Sequence, residues 1–318
     1  MRTCPFCSEI GQPRSRMTSS IQRQRVVFYV IAVLAAAWLW MLSFRIGFHP
    51  PEWVAILVLM WLPGLVSIIF RLAFKEGFSD VGWRIGNGRY WLWAYLCPLV
   101  LAALSFCLAD LFHKAVLAAD LSRQSMVYAG FLKVPWLFPN SSTFSLLCQR
   151  FLSVAVIGIA SGFIFAFGEE LGWRGYLLPR LIQSGWPFPI VLSGLVWGIW
   201  HGPLFVLTGY AHGAVTLSLL MFAILTILFG VFISWLRLAS GSVFVAVTAH
   251  TSFNAFVQNF FGESFSADKA WFWIGDYGVF TLIPYGLLTA WLYRSGRVHA
   301  ASSPYVVGFH GARSVSKA

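Results

Sequence analysis

The segment "FLSVAVIGIASGFIFAFGEELGWR", residues 151–174, starts as an almost wholly apolar run and ends in two adjacent acids, Glu169 and Glu170, followed by Arg174. An apolar run of this length is typical of a membrane-spanning helix, which needs about 20 residues. Ionisable side chains are costly within a membrane, so each one is a functional candidate that requires a partner. The segment therefore predicts a membrane protein with a polar site beside one of its spans.

The whole chain has the same apolar character. Of its 318 residues, 58% are hydrophobic and only 10% are charged, whereas soluble domains carry about 25% charged residues. We therefore predict an all-α fold, a polytopic membrane helical bundle of about eight transmembrane helices. The predicted spans are 26–44, 53–70, 91–112, 150–168, 189–207, 214–236, 242–261 and 272–293.

The distribution of positive charge predicts the orientation of these spans. The net charge of +11 would suit a nucleic-acid partner, but the basic residues lie in short loops and tails, where they set membrane topology instead. Sixteen of the 22 lysines and arginines fall on the side of the N-terminal tail. We therefore expect a multi-pass integral membrane protein with both termini in the cytosol, no nucleic-acid partner, and residence in the plasma membrane of a bacterium.

These spans divide the chain into five predicted parts. They are a cytosolic basic tail (1–25), N-terminal transmembrane helices (26–112), an extracytoplasmic segment (113–149), catalytic core helices (150–293) and a flexible C-terminal tail (294–318). The first tail contains "CPFC", with Cys4 and Cys7. A structural zinc site needs four ligands and usually two such pairs, so the motif leaves open a metal shared in a dimer or no role at all.

The spacing of the two acids suggests different roles for them. If the helix continues past Gly168, Glu170 and Arg174 share a face and neutralise each other. Glu169 is rotated by about 100° and must find another partner. One acid would then be structural and the other chemical. The alternative is an ordinary cytosolic helix end with salt bridges.

Two more clusters place polar groups in predicted spans. In "WGIWHGPLF", residues 197–205, Trp197 precedes His201 by four positions and can pack on its imidazole, while Pro203 weakens the helix beside it. In "HTSFN", residues 250–254, His250 and Asn254 are also four apart. Each histidine has a simpler interpretation, a hydrogen-bonded core side chain or ordinary interhelical contact. Together with the acids, they are the groups needed to handle a water molecule and a developing oxyanion.

The site can form only if Glu169, His201 and His250 lie at similar depths in the membrane. With the predicted boundaries, Glu169 lies near the cytosolic end of its helix, whereas His201 and His250 lie deeper. The groups meet only if the fourth helix extends further inward or the fifth starts later. The other acids and histidines near span ends or in loops are interpreted as solvated or interfacial: Asp110, Asp276, His49, His113, His212, His299 and His310.

The three motifs, "EELGWR" with "GYLLPRL", "WGIWHGP" and "HTSFN", resemble the CPBP intramembrane proteases. This family includes the CAAX prenyl endopeptidases and the bacteriocin-processing or self-immunity (Abi) proteins. The similarity covers roughly residues 78–261, including "VGWR" at 81–84. One departure is Trp197, where the family usually has phenylalanine. Since the role there is aromatic packing, we expect little consequence.

The resemblance implies a hydrolase, an intramembrane endopeptidase that cuts near the cytosolic membrane face. Glu169 would activate water with the help of His201, and His250 with Asn254 would stabilise the oxyanion. Glu170 and Arg174 would support the site, as would Trp197 through packing. The implied partners are the lipid bilayer and a membrane-anchored or prenylated peptide or protein.

Two mechanisms fit the same residues. As a metalloprotease the protein would hold zinc through Glu169, His201 and His250; as a glutamate protease it would use Glu169 without a metal. The zinc-protease signature H-E-x-x-H is absent from the sequence. Alternatives to an enzyme are a non-catalytic membrane immunity or binding protein of the same fold and a haem-binding or transport protein.

Overall fold

The computed structural model describes residues 19–114, 116–117, 126–129, 132–211, 213–266 and 270–302, and it confirms the all-α membrane bundle. The α-helices are α1 (Ser19–Ser43), α2 (Glu52–Ala73), α3 (Gly88–Leu111), α4 (Thr143–Ser153), α5 (Ile159–Gly172), α6 (Leu178–Gln183), α7 (Pro189–Trp200), α8 (Gly202–Leu207), α9 (Val215–Ser240), α10 (Val243–Phe253), α11 (Ala270–Trp273), α12 (Val279–Arg294) and α13 (Arg297–Ser302). The π-helical segments are π1 (Val154–Gly158), π2 (Trp173–Leu177) and π3 (Asn254–Gly262), and a 3₁₀ turn spans Phe44–Ile46.

Two small antiparallel pairs complete the described part of the chain. Strand β1 (Val116–Leu117) pairs with β4 (Phe265–Ser266), and β2 (Met126–Ala129) pairs with β3 (Leu132–Pro135). All four strands lie in connections between helices. The predicted "CPFC" tail, His212, His310 and most of the C-terminal tail lie outside the described residues.

Six helices in the described residues are long and apolar enough to cross a membrane. They include the predicted first, second, third, fifth and sixth spans, with ends shifted by a few residues. The spans predicted at 242–261 and 272–293 are not among these six. The span predicted at 242–261 coincides with α10 and π3, and the span predicted at 272–293 is interrupted between α11 and α12. The predicted number of eight is therefore not confirmed.

The prediction of a fourth span ending at residue 168 is wrong. Helical structure runs without a break for 41 residues, Thr143–Gln183, which we call the long helix. Glu170 and Arg174 form an ion pair at 2.9 Å one turn apart, so the polar stretch continues the helix instead of ending it. Glu169 consequently lies well inside the helix. The predicted difference in depth between Glu169 and the two histidines therefore no longer keeps them apart.

Successive membrane helices alternate in direction, so the bundle has two ends. Loops 74–87, 184–188 and 241–242 lie at one end, which we call the arginine-rich end. Its contacts join distant parts of the chain: Arg180 bonds Glu76 and Asp80, with Arg180–Asp80 at 3.0 Å, and Arg237 donates to the Asp80 carbonyl at 2.8 Å. Loop 47–51 and the described residues 208–211 and 213–214 lie at the opposite end.

The long helix packs on α2 through glycines that allow backbone contact. A Cβ on Gly168 would lie 2.6 Å from the Trp61 Cα, and one on Gly64 would lie 2.6 Å from the Gly168 carbonyl oxygen. Real Cβ atoms do not approach backbone this closely, and small residues are what let membrane helices meet at such distances. These glycines therefore position the segment that carries Glu169 and Glu170.

We expect Gly168→Ala to destabilise the protein by about 1–3 kcal/mol, because the added methyl group forces α2 away from the long helix. Thermal unfolding in detergent measures the effect. Gly286→Ala is the matched control, since a Cβ there meets its nearest neighbour only at 4.0 Å. Equal melting temperatures for the two variants would contradict the packing argument.

Candidate active site

The four candidate catalytic residues from the sequence line one cavity of about 310 Å³. Glu169 comes from α5, His201 from the junction of α7 and α8, His250 from α10 and Asn254 from the first position of π3. The remaining lining is largely aromatic and aliphatic, contributed by α2, α7, α9 and α10. An apolar cavity with a few convergent polar groups is the usual form of a binding or active site.

Two tryptophans hold the Glu169 carboxylate. Its side chain is 2% exposed, and its Oε2 accepts hydrogen bonds from the Trp197 Nε1–H at 2.6 Å and the Trp173 Nε1–H at 3.3 Å. Both bonds fall on the same oxygen, so the orientation of the carboxylate is fixed. From the sequence, Trp197 was expected only to pack on His201, and Trp173 was not predicted to belong to the site, although it follows Glu169 by one helical turn.

Glu170 is the structural acid of the pair. It is fully buried, and its Oε1 contacts both Arg174 Nη1 at 2.9 Å and His250 Nδ1 at 2.9 Å. The Arg174 guanidinium also lies 4.6 Å from the centre of the Trp197 ring, a cation–π distance. The predicted Glu170–Arg174 pair is therefore present. The contact between Glu170 and His250 joins two helices, so spacing along one helix did not reveal it.

The backbone breaks at His201, as expected from Pro203. Helix α7 ends at Trp200 and α8 begins at Gly202. His201 Nδ1 lies 2.9 Å from the Trp197 carbonyl oxygen, an acceptor that requires a proton on Nδ1 and leaves Nε2 as an acceptor in the neutral ring. The ring packs between Trp200 at 4.7 Å and Phe222 at 4.6 Å.

Trp197 contacts the acid and both histidines of the site, which the predicted span boundaries placed at different depths in the membrane. It bonds Glu169 directly, its ring centre lies 6.0 Å from that of His201, and it meets His250 edge-on at 5.2 Å. Asn254 follows His250 where α10 changes to π-helix. Acid, imidazoles and amide thus surround one space, as the motifs indicated together.

The structure adds a polar cluster that the sequence analysis did not assign to the site. Tyr210 and Gln258 line the cavity, and both donate to Asp276 Oδ2, at 2.6 and 3.3 Å. Asp276 was interpreted as a solvated residue at a span end. It is instead half-buried and hydrogen-bonded, and no motif spacing connects it to the other two.

The described residues include no group of three histidine, cysteine, aspartate or glutamate side chains arranged to hold a metal ion. His250 Nδ1 is occupied by Glu170, and His201 Nδ1 by a backbone carbonyl. With Nδ1 held by a carboxylate or a backbone carbonyl, each ring keeps Nε2 free, the orientation that metal-ligating histidines also have.

The fold and cavity define a polytopic membrane protein with a buried carboxylate–imidazole site. The family model described as type II CAAX prenyl endopeptidase Rce1-like matches residues 150–256, which contain all three motifs. The match confirms the resemblance and supports assignment of this segment to the CPBP/CAAX intramembrane protease family. A comparison with curated proteins gave no significant match.

We expect Trp197→Phe to lower the rate of catalysis by about ten- to a hundredfold while leaving the fold intact. The ring is kept, but a hydrogen bond to a charged group, worth about 1.5–3 kcal/mol, is lost. Initial rates of peptide cleavage measure the effect. Trp186→Phe, in the loop at the arginine-rich end, is the control and should stay within about twofold of wild type. Equal rates for wild type and Trp197→Phe would leave this tryptophan a packing role only.

The two acids should respond differently to truncation. Glu170→Ala leaves Arg174 buried and unpaired, which should cost about 3–5 kcal/mol of stability. Glu169→Ala removes no ion pair and should cost much less. Thermal unfolding of both variants in the same detergent tests the difference, and a larger loss for Glu169→Ala would reverse the two roles.

Proposed function

We propose that the protein is an intramembrane endopeptidase in which Glu169 activates a water molecule for attack on a peptide bond. The observation that supports this most strongly is the cavity lined by Glu169, His201, His250 and Asn254, with Glu169 held by two indole N–H groups. The substrate would be a membrane-anchored or prenylated peptide or protein, as the family match suggests in general.

Glu169 is proposed as the general base. Its Oε2 is held by the two indoles, so Oε1 is the oxygen available to take a proton from water. The hydroxide formed attacks the peptide carbonyl carbon, and the proton passes from Glu169 to the leaving nitrogen when the C–N bond breaks. His201, with Nδ1 on the Trp197 carbonyl, would accept a hydrogen bond from the same water through Nε2 and so orient it.

His250 and Asn254 are proposed to stabilise the oxyanion. His250 donates from Nδ1–H to Glu170, so its Nε2 can donate only when that nitrogen also carries a proton; the Asn254 amide supplies a second donor. Preorganised donors of this kind are worth about 3–4 kcal/mol each to the barrier.

The test compares peptide cleavage by wild type, Glu169→Ala and His201→Ala in liposomes. We expect at least a thousandfold loss for Glu169→Ala and a large loss for His201→Ala, with both variants folded. Glu263→Gln, a change at an exposed acid, is the control and should cleave normally. Undiminished cleavage by Glu169→Ala would end the catalytic assignment.

Metal analysis and spectra of the same preparations separate the remaining alternatives. One equivalent of zinc in the active protein would favour the metalloprotease reaction over metal-independent water activation. A Soret band would favour a haem protein. A folded wild type that binds peptides but cleaves none would favour an immunity or binding protein of the same fold.

A further inference from the structure

The cavity extends from the candidate catalytic groups toward one end of the bundle only. Its other lining residues include Glu52 at the start of α2, Phe222 near the start of α9, Gln258 in π3 and Tyr210 in the loop after α8. All four lie toward the end opposite the arginine-rich one. Glu52 is exposed and lines the cavity, so the cavity reaches the surface there.

The other direction is closed by packed side chains. Beyond Glu169 the long helix presents Trp173, Tyr176 and Leu177, each with no exposed surface, and Phe232 from α9 is equally buried. Glu169 lies fourteen residues before Gln183, about 21 Å along a helix. A substrate at the arginine-rich end would have to displace this core to reach the carboxylate.

The charges of the two ends differ strongly. Among the described residues, ten lysines and arginines and two acids lie at the arginine-rich end, but four basic residues and four acids lie at the opposite end. An excess of positive charge in short loops marks the cytoplasmic face of a membrane protein. The cavity mouth at Glu52 then faces away from the cytoplasm.

We infer that the substrate enters the cavity from the extracytoplasmic side, so that the protein acts on an extended segment of an exported or membrane-anchored polypeptide. That a substrate uses this route rests on the proposed function. The direction of access follows from the position of the cavity and the distribution of charge alone. It differs from the cleavage near the cytosolic face that the resemblance implied, and from the predicted position of Glu169 near the cytosolic end of its helix. The long helix places that acid deep in the bundle instead.

The test is labelling of single cysteines in intact cells with a membrane-impermeant maleimide, in the full chain with its five native cysteines replaced. Glu52→Cys at the cavity mouth and His49→Cys in loop 47–51 should react in intact cells. Ser79→Cys, exposed at the arginine-rich end, is the control and should react only after permeabilisation. The reverse pattern would overturn the inference.

A second arm connects access to turnover. In right-side-out vesicles, externally added maleimide on Glu52→Cys should reduce cleavage of an external peptide at least tenfold, while Ser79→Cys keeps its rate. Unchanged cleavage after complete labelling would show that substrate does not pass Glu52 and would overturn the inference. If the labelling pattern holds but no variant or wild type cleaves any peptide, the proposed function fails while the direction of the cavity stands.

Discussion

The structure depends on the buried carboxylate of Glu170. A charge without solvent must be paired, and Oε1 of this residue meets Arg174 on its own helix and His250 on α10. Arg174 in turn lies over the ring of Trp197 on α7. One carboxylate therefore fixes the relative positions of three helices. Glu169, one residue earlier on the same helix, is held in position by the same contacts but takes no part in the ion pair.

The helices deviate from regular geometry where they carry the site. π2 begins at Trp173, which bonds Glu169, and π3 begins at Asn254. The third deviation is the break at His201. π-Helical turns are rare and often occur at functional sites, and irregular backbone at membrane depth is tolerated where it lines a cavity. Here His201 and Asn254 line the cavity, and Trp173 bonds Glu169, which also lines it. These irregular backbone positions therefore coincide with the polar side chains of the site.

Spacing within one helix was enough to predict part of this site. The Glu170–Arg174 pair, the packing of Trp197 near His201 and the helix break before Pro203 all follow from one-turn distances or from proline chemistry. Contacts between helices could not be obtained this way. The bond from Trp197 to Glu169 and the contact of Glu170 with His250 join residues 28 and 80 positions apart, and the polar stretch at the acids concealed the true length of the long helix.

The size of the cavity limits the form in which a substrate can bind. A volume of about 310 Å³ corresponds to roughly ten water molecules at about 30 Å³ each. A helix with its side chains is about 10–12 Å across and would not fit beside Glu169. A short extended segment would fit, with room for one attacking water. Under the proposed function, a membrane-embedded helical segment would therefore be unwound before its peptide bond reaches the carboxylate. The cost of that unwinding favours segments that are already extended at a membrane surface, such as those beside an anchor.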